Sequence, residues 1–137
     1  MKKILLLFML SVSTAYGQIT VNSGTKAEKL YSNPMGFHTL YKDVYTDSSV
    51  MYSIVFKDCR YQQITSYQSV MFSSKQDIQD FFKIIISVIE TKEDKSLSFA
   101  NQNVLLSYNN KIVKMYLGDS FCWWNVKWAE KCLESIH

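Results

Sequence analysis

The sequence predicts an α+β protein: a mostly antiparallel sheet of five to six short strands, two helices on one face, and element order β-β-β-α-β-β-β-α. Three observations carry this reading. Val50, Tyr52, Ile54 and Phe56 alternate with Met51, Ser53, Val55 and Lys57, leaving one face wholly apolar, as a half-buried strand requires. Ile78, Phe81, Phe82, Ile85, Val88 and Ile89 recur at helical spacing. Val104–Tyr108 and Ile112–Leu117 flank Asn109-Asn110-Lys111, and asparagine tolerates the positive φ of a tight hairpin.

The elements follow in order. Residues 18–36 read as a flexible leader containing Asn22-Ser23-Gly24 and Asn33-Pro34, with an edge strand at Ile19–Val21. Residues 37–137 read as a single domain. Its first strand is Phe37–Tyr45, and Thr46-Asp47-Ser48-Ser49 turns the chain into Val50–Lys57. Lys57–Tyr67 is polar and irregular, and Ser69–Phe72 is a third strand. In Ser73-Ser74-Lys75-Gln76-Asp77, Ser73 with Gln76 or Ser74 with Asp77 matches a capping box and opens a helix over 74–90. Leu97 and Phe99 begin a second group of strands, and Gly118-Asp119-Ser120 turns the last of them. Asn125 reads as the N-cap of a final helix whose stripe is Ala129, Cys132, Leu133 and Ile136. Both halves run from strands through a polar cap into a helix, the pattern of a degenerate duplication or of an ordinary α+β domain.

Of 137 residues, 47% are hydrophobic, 15% aromatic and 20% charged, which excludes a disordered chain. The 4 Gly and 1 Pro exclude collagen-like and linker-like sequences and leave no phosphate-cradling loop. Lys2 and Lys3, the apolar run Ile4–Leu10, and Ala15-Tyr16-Gly17 have the three-part layout of a signal peptide, with the cut expected between Gly17 and Gln18. The run is shorter than the about 20 apolar residues of a spanning helix. The expected location is therefore periplasmic or secreted, with no transmembrane segment after removal of residues 1–17. Removing Lys2 and Lys3 leaves 13 basic against 12 acidic side chains, too balanced for a nucleic-acid surface.

The segments Val70-Met71-Phe72-Ser73-Ser74-Lys75-Gln76-Asp77-Ile78 and Trp124-Asn125-Val126-Lys127-Trp128-Ala129-Glu130-Lys131 resemble small exported proteins of Gram-negative bacteria and their phages that lack an assigned activity. The resemblance spans residues 50–136. It implies an α+β fold and carries over no functional residue.

Catalytic and metal motifs are scarce. There is no C-x-x-C or H-x-x-x-H pair and no acidic D-x-D loop, so neither a metal nor a cofactor is expected. A turn centred near Asp47–Ser48 puts His38 opposite Lys57 and one pleat from Cys59: either a Cys/His nucleophile pair or a surface histidine beside a small buried cysteine. Asp77 and Asp80, three apart on the first helix, are a candidate carboxylate pair or simply a solvated face. Cys122 lies about 10 Å before Asn125 along a strand and Cys132 about 10.5 Å beyond it along a helix. They sit level, which makes Cys122–Cys132 a candidate disulfide with Cys59 left over. A helix packed flat on a strand nevertheless holds backbones about 10 Å apart, beyond the about 6.8 Å that a bridge spans; three unpaired thiols are the alternative.

The most unusual feature is aromatic. Phe121, Trp123, Trp124 and Trp128 crowd eight residues, and no tryptophan occurs elsewhere. In an extended segment Trp123 and Trp124 point to opposite sides, and Trp128 lies off the apolar stripe of its helix. These four residues are the candidate binding site, either a stacking platform or a wedge in the core. The expected function is a non-enzymatic binding or protein-interaction module that meets another exported or envelope protein, or a glycan. The alternative is a small secreted hydrolase or thiol enzyme using Cys59 or a carboxylate pair.

Overall fold

The computed structural model describes residues 26–137. The expected signal peptide, its cleavage site and the strand at Ile19–Val21 lie outside the described residues. The class is α+β, with antiparallel strands. Strands β1 (Lys26–Ser32), β2 (His38–Val44), β3 (Val50–Lys57) and β4 (Tyr67–Phe72) form one four-stranded meander, followed by helix α1 (Lys75–Thr91). Strands β5 (Lys95–Phe99), β6 (Gln102–Asn109), β7 (Ile112–Leu117) and β8 (Ser120–Trp124) form a second, followed by helix α2 (Val126–Ser135).

This corrects the expected single sheet of five to six strands: each half gains one strand. In the first half it is β1, which lies within the segment read as a leader. Lys-Ala-Glu-Lys carries no apolar alternation because β1 is an edge strand with its first four residues exposed. What holds it is the backbone ladder to β2, with an irregularity between Lys29 and Tyr31, and the packing of Leu30 and Tyr31 against the core. In the second half the added strand is β8, read from sequence only as an extended lead-in to the last helix.

The helices form where their caps dictate. The Ser74 hydroxyl accepts from the Asp77 N–H at 3.1 Å, and α1 ends at Lys92, whose left-handed φ of 60° lets its N–H reach the Val88 carbonyl. The Asn125 side chain accepts from the Trp128 N–H at 2.8 Å and starts α2. α1 contacts β3 and β4 of the first sheet and β6 and β7 of the second, while α2 packs on α1 and touches β1. The helices therefore serve both sheets rather than covering one face of one sheet. Phe56, Phe72, Phe82, Ile85, Leu106, Met115 and Trp124 are buried in a single shared core. Among the described residues no helix is long and apolar enough to cross a membrane.

Hydrogen bonds stitch the two sheets together. The Gln102 amide accepts from the Met71 N–H at 2.9 Å and donates to the Met71 carbonyl at 2.8 Å, standing in for a strand on the open edge of β4. The Cys59 N–H donates to the Phe121 carbonyl at 2.8 Å on the edge of β8. The second stitch builds the site.

Candidate functional site

The tight turn at Gly118-Asp119 sets the register of β7 and β8. Leu117 pairs with Ser120, Tyr116 with Phe121 and Lys114 with Trp123. Gly118 takes φ +61°, which a glycine adopts without strain. Strand alternation then sends Val113, Met115, Cys122 and Trp124 into the core and turns Lys114, Tyr116, Phe121 and Trp123 outward.

The outward four form one cluster. The Lys114 ammonium lies 4.0 Å from the Phe121 ring centroid and 5.1 Å from those of Tyr116 and Trp123. Phe121 and Trp123 meet edge to face with centroids 5.8 Å apart, and Tyr116 is 5.7 Å from Phe121. Each such cation–π contact contributes about 0.5–1 kcal/mol at an exposed site, so the rings and the amine hold one another in place. Leu105 on β6, paired with Tyr116, is 43% exposed and extends the apolar surface.

Beside the cluster the loop after β3 is fixed by a buried carboxylate. Asp58 is fully buried and receives Arg60 Nε at 2.9 Å and Nη2 at 2.8 Å. The Arg60 N–H reaches it at 3.1 Å and the Phe121 N–H at 3.4 Å. Burial alone would raise its pKa, but the hydrogen bonds from Arg60, Ser120 and Phe121 outweigh it and hold the carboxyl at about 2. This anchor sets Cys59, Tyr61 and Gln62 against Trp123 and leaves a cleft of ≈ 330 Å³, closed on its other side by Phe37 and Lys57.

The four predicted aromatic residues therefore separate. Phe121 and Trp123 stand together on the outer face. Trp124 is fully buried and meets Phe82 edge to face at 5.5 Å, so it has no place in a contact surface. Trp128 is half-buried on α2, 5.7 Å from Phe37 and 5.4 Å from His38, and reaches the cleft only through Phe37. Lys114, Tyr116, Gln62 and Phe37 were not singled out from sequence. Pairing across the Gly118-Asp119 hairpin is the signal that would have found the first two.

The thiols do not match the nucleophile alternative. β2 and β3 pair so that His38 faces Phe56, not Lys57. A one-residue shift exchanges the two faces of a strand, and His38 is inside. Its Nε2 is 2.8 Å from the Trp123 carbonyl, and burial lowers its pKa to about 4, so it is neutral at pH 7. Cys59 is the half-exposed partner, its Sγ pointing at the Lys57 carbonyl at 3.6 Å. Burial first, then the Asp58 charge, raises its pKa and disfavours the thiolate that attack requires. Cys122 and Cys132 are buried free thiols, so the candidate bridge is not formed. Burial pushes Cys132 up to about 12 and Cys122 well above its ordinary value. Asp77 and Asp80 are exposed on α1, and among the described residues no three His, Cys, Asp or Glu side chains gather as a metal site.

No known protein family, curated protein or solved structure matches the chain.

Proposed function

We propose that the protein is an exported, non-enzymatic binding module that meets another exported or envelope protein through the outward face of β7 and β8. The observation that carries this reading is the cluster of Tyr116, Phe121 and Trp123, half-buried on the outward face around Lys114. A solvated strand face is ordinarily polar. Aromatic side chains fixed at the surface are instead the residues from which contact surfaces draw most of their energy. The signal-peptide layout of residues 1–17 and the resemblance to small exported proteins support the compartment, and the raised Cys59 pKa speaks against the thiol enzyme.

A glycan is the second reading, favoured by one observation: Trp123 lines a cleft that also offers the Gln62 amide and the Lys57 amine, a stacking plane beside hydrogen-bonding groups.

The test is affinity capture from an envelope extract with the tagged chain and its Phe121→Ala/Trp123→Ala variant, run beside a glycan array. A protein held by the native chain and lost with the variant supports the first reading. A Trp123-dependent glycan signal supports the second. Capture that ignores both substitutions removes the face from the function.

A further inference from the structure

A second surface lies at the β5 edge of the second sheet, opposite the β8 edge. Among the described residues β5 pairs only with β6, and it is the open edge of the second sheet. Between this edge and α1 runs a cleft of ≈ 270 Å³. Its floor is aromatic: Phe72 stacks on Phe99 at 5.0 Å and 16°, and Phe81 lies 5.0 Å from Phe72. Its rim carries Asp77 and Asp80 on the helix side and Ser96 and Ser98 on the strand side.

The strand side presents unused backbone groups. Ala100 and Asn101 take φ of 47° and 57° and close a two-residue turn between the paired Phe99 and Gln102. In such a turn the flanking pair exchanges both hydrogen bonds, and alternate residues follow suit. Lys95, Leu97 and Phe99 therefore spend their N–H and C=O groups on β6, and Ser96 and Ser98 aim theirs at the open edge. The helix side presents unneutralised charge. Asp80 accepts only from the Gln76 amide at 2.8 Å and Asp77 from the Ser73 hydroxyl at 3.4 Å, and among the described residues neither enters an ion pair.

We infer that the groove between β5 and α1 takes an extended segment of a partner protein, which adds a strand to β5 and carries an apolar and a basic side chain at alternate positions. The added backbone pairs with Ser96 and Ser98; alternate side chains face α1, where the aromatic floor takes the apolar one and Asp77 and Asp80 take the lysine or arginine. The open edge sets the extended form of the occupant, and the two carboxylates set its charge. This surface is distinct from the aromatic face and stands or falls separately.

The probe is a phage-displayed library of random linear decapeptides, panned on the purified protein. Enriched peptides are expected to carry an apolar residue and a Lys or Arg two positions apart, so that both side chains face α1. Binding of an enriched peptide, read by fluorescence polarisation, is expected to weaken about tenfold or more in Asp77→Lys/Asp80→Lys and in Ser98→Pro. Proline is tolerated on an edge strand where the lost N–H faces outward, so the second variant removes pairing without removing the strand. N-methylation along the peptide backbone needs no variant at all and is expected to abolish binding only at every second residue. No enrichment over an unrelated control protein, affinity within twofold of the native chain in either folded variant, or N-methyl effects without alternation would each overturn the inference.

Discussion

The imidazole of His38 lies flat on the indole of Trp124, with ring centroids 3.7 Å apart and planes 3° from parallel. The same ring bonds the Trp123 carbonyl through Nε2. A β2 side chain thus fixes the backbone of β8 at the residue whose indole faces out, and it ties the two sheets together at the site.

That relationship makes stability depend on pH. Burial lowers the His38 pKa from 6.5 to about 4. As pH falls from 6.5 towards 4, the unfolded chain takes up a proton that the folded chain refuses. Stability is therefore complete above pH 6.5, declines through that window and levels off below it, with a loss of about 3 kcal/mol. Urea denaturation at pH 7.5, 5.5 and 4 measures the slope, which His38→Gln is expected to flatten.

Arg60→Ala strands the Asp58 carboxylate in the interior without its principal partner. Breaking a buried pair from one side costs about 3–5 kcal/mol. Arg60 is 34% exposed, which lets water compensate in part and brings the expected loss to about 2 kcal/mol. Asp58 holds its pKa down at about 2, so its contribution is present above pH 3.8 and is lost as pH falls from there to 2. Denaturation midpoints of the variant and native chains at pH 7 and pH 3 check both statements.

Two hairpins carry side chains where glycine is easier. Ala100 has φ 47° and Lys111 has φ 71°. A left-handed residue with a Cβ costs about 1–2 kcal/mol, partly offset by the greater entropy of glycine when unfolded. Ala100→Gly and Lys111→Gly are each expected to stabilise the fold by roughly 0.5–1 kcal/mol, visible as a higher Tm by calorimetry. A loss of stability in both would contradict the turn geometry.

Three free thiols of unequal exposure predict a graded alkylation pattern. Iodoacetamide at pH 7.4 without reductant is expected to add slowly at Cys59, which is half-exposed with a raised pKa, and not at Cys122 or Cys132. In denaturant all three react. Intact mass reads the count; a chain that accepts only one label when denatured holds a disulfide.

Much of the fold is legible residue by residue. The alternation of Val50–Phe56 predicted the buried face of β3, where Tyr52, Ile54 and Phe56 are inside. Asn125 is the cap expected of it, and Ser74 is one of the two serines that the capping pattern offered. What escaped has physical causes. β1 is polar because an edge strand needs ladder partners more than apolar side chains. The division into two sheets depends on which hairpins neighbour one another, and local periodicity does not encode that. The position of His38 turned on one residue of register at the Tyr45–Ser49 turn, where Val44 pairs with Val50 and so sets His38 against Phe56. Of the aromatic cluster, the opposed directions of Trp123 and Trp124 followed from alternation alone. The amine of Lys114 above the rings needed the pairing of β7 with β8.

The proposed contact surface requires Trp123 to face water while Trp124, one residue on, does not. 5-Fluorotryptophan labelling and ¹⁹F NMR with a water-soluble gadolinium probe test this most directly, with Trp123→Phe and Trp128→Phe assigning the three resonances. The Trp123 signal is expected to broaden strongly, and the Trp124 signal to stay sharp. A Trp123 resonance as protected as that of Trp124 would contradict an outward aromatic face on β8.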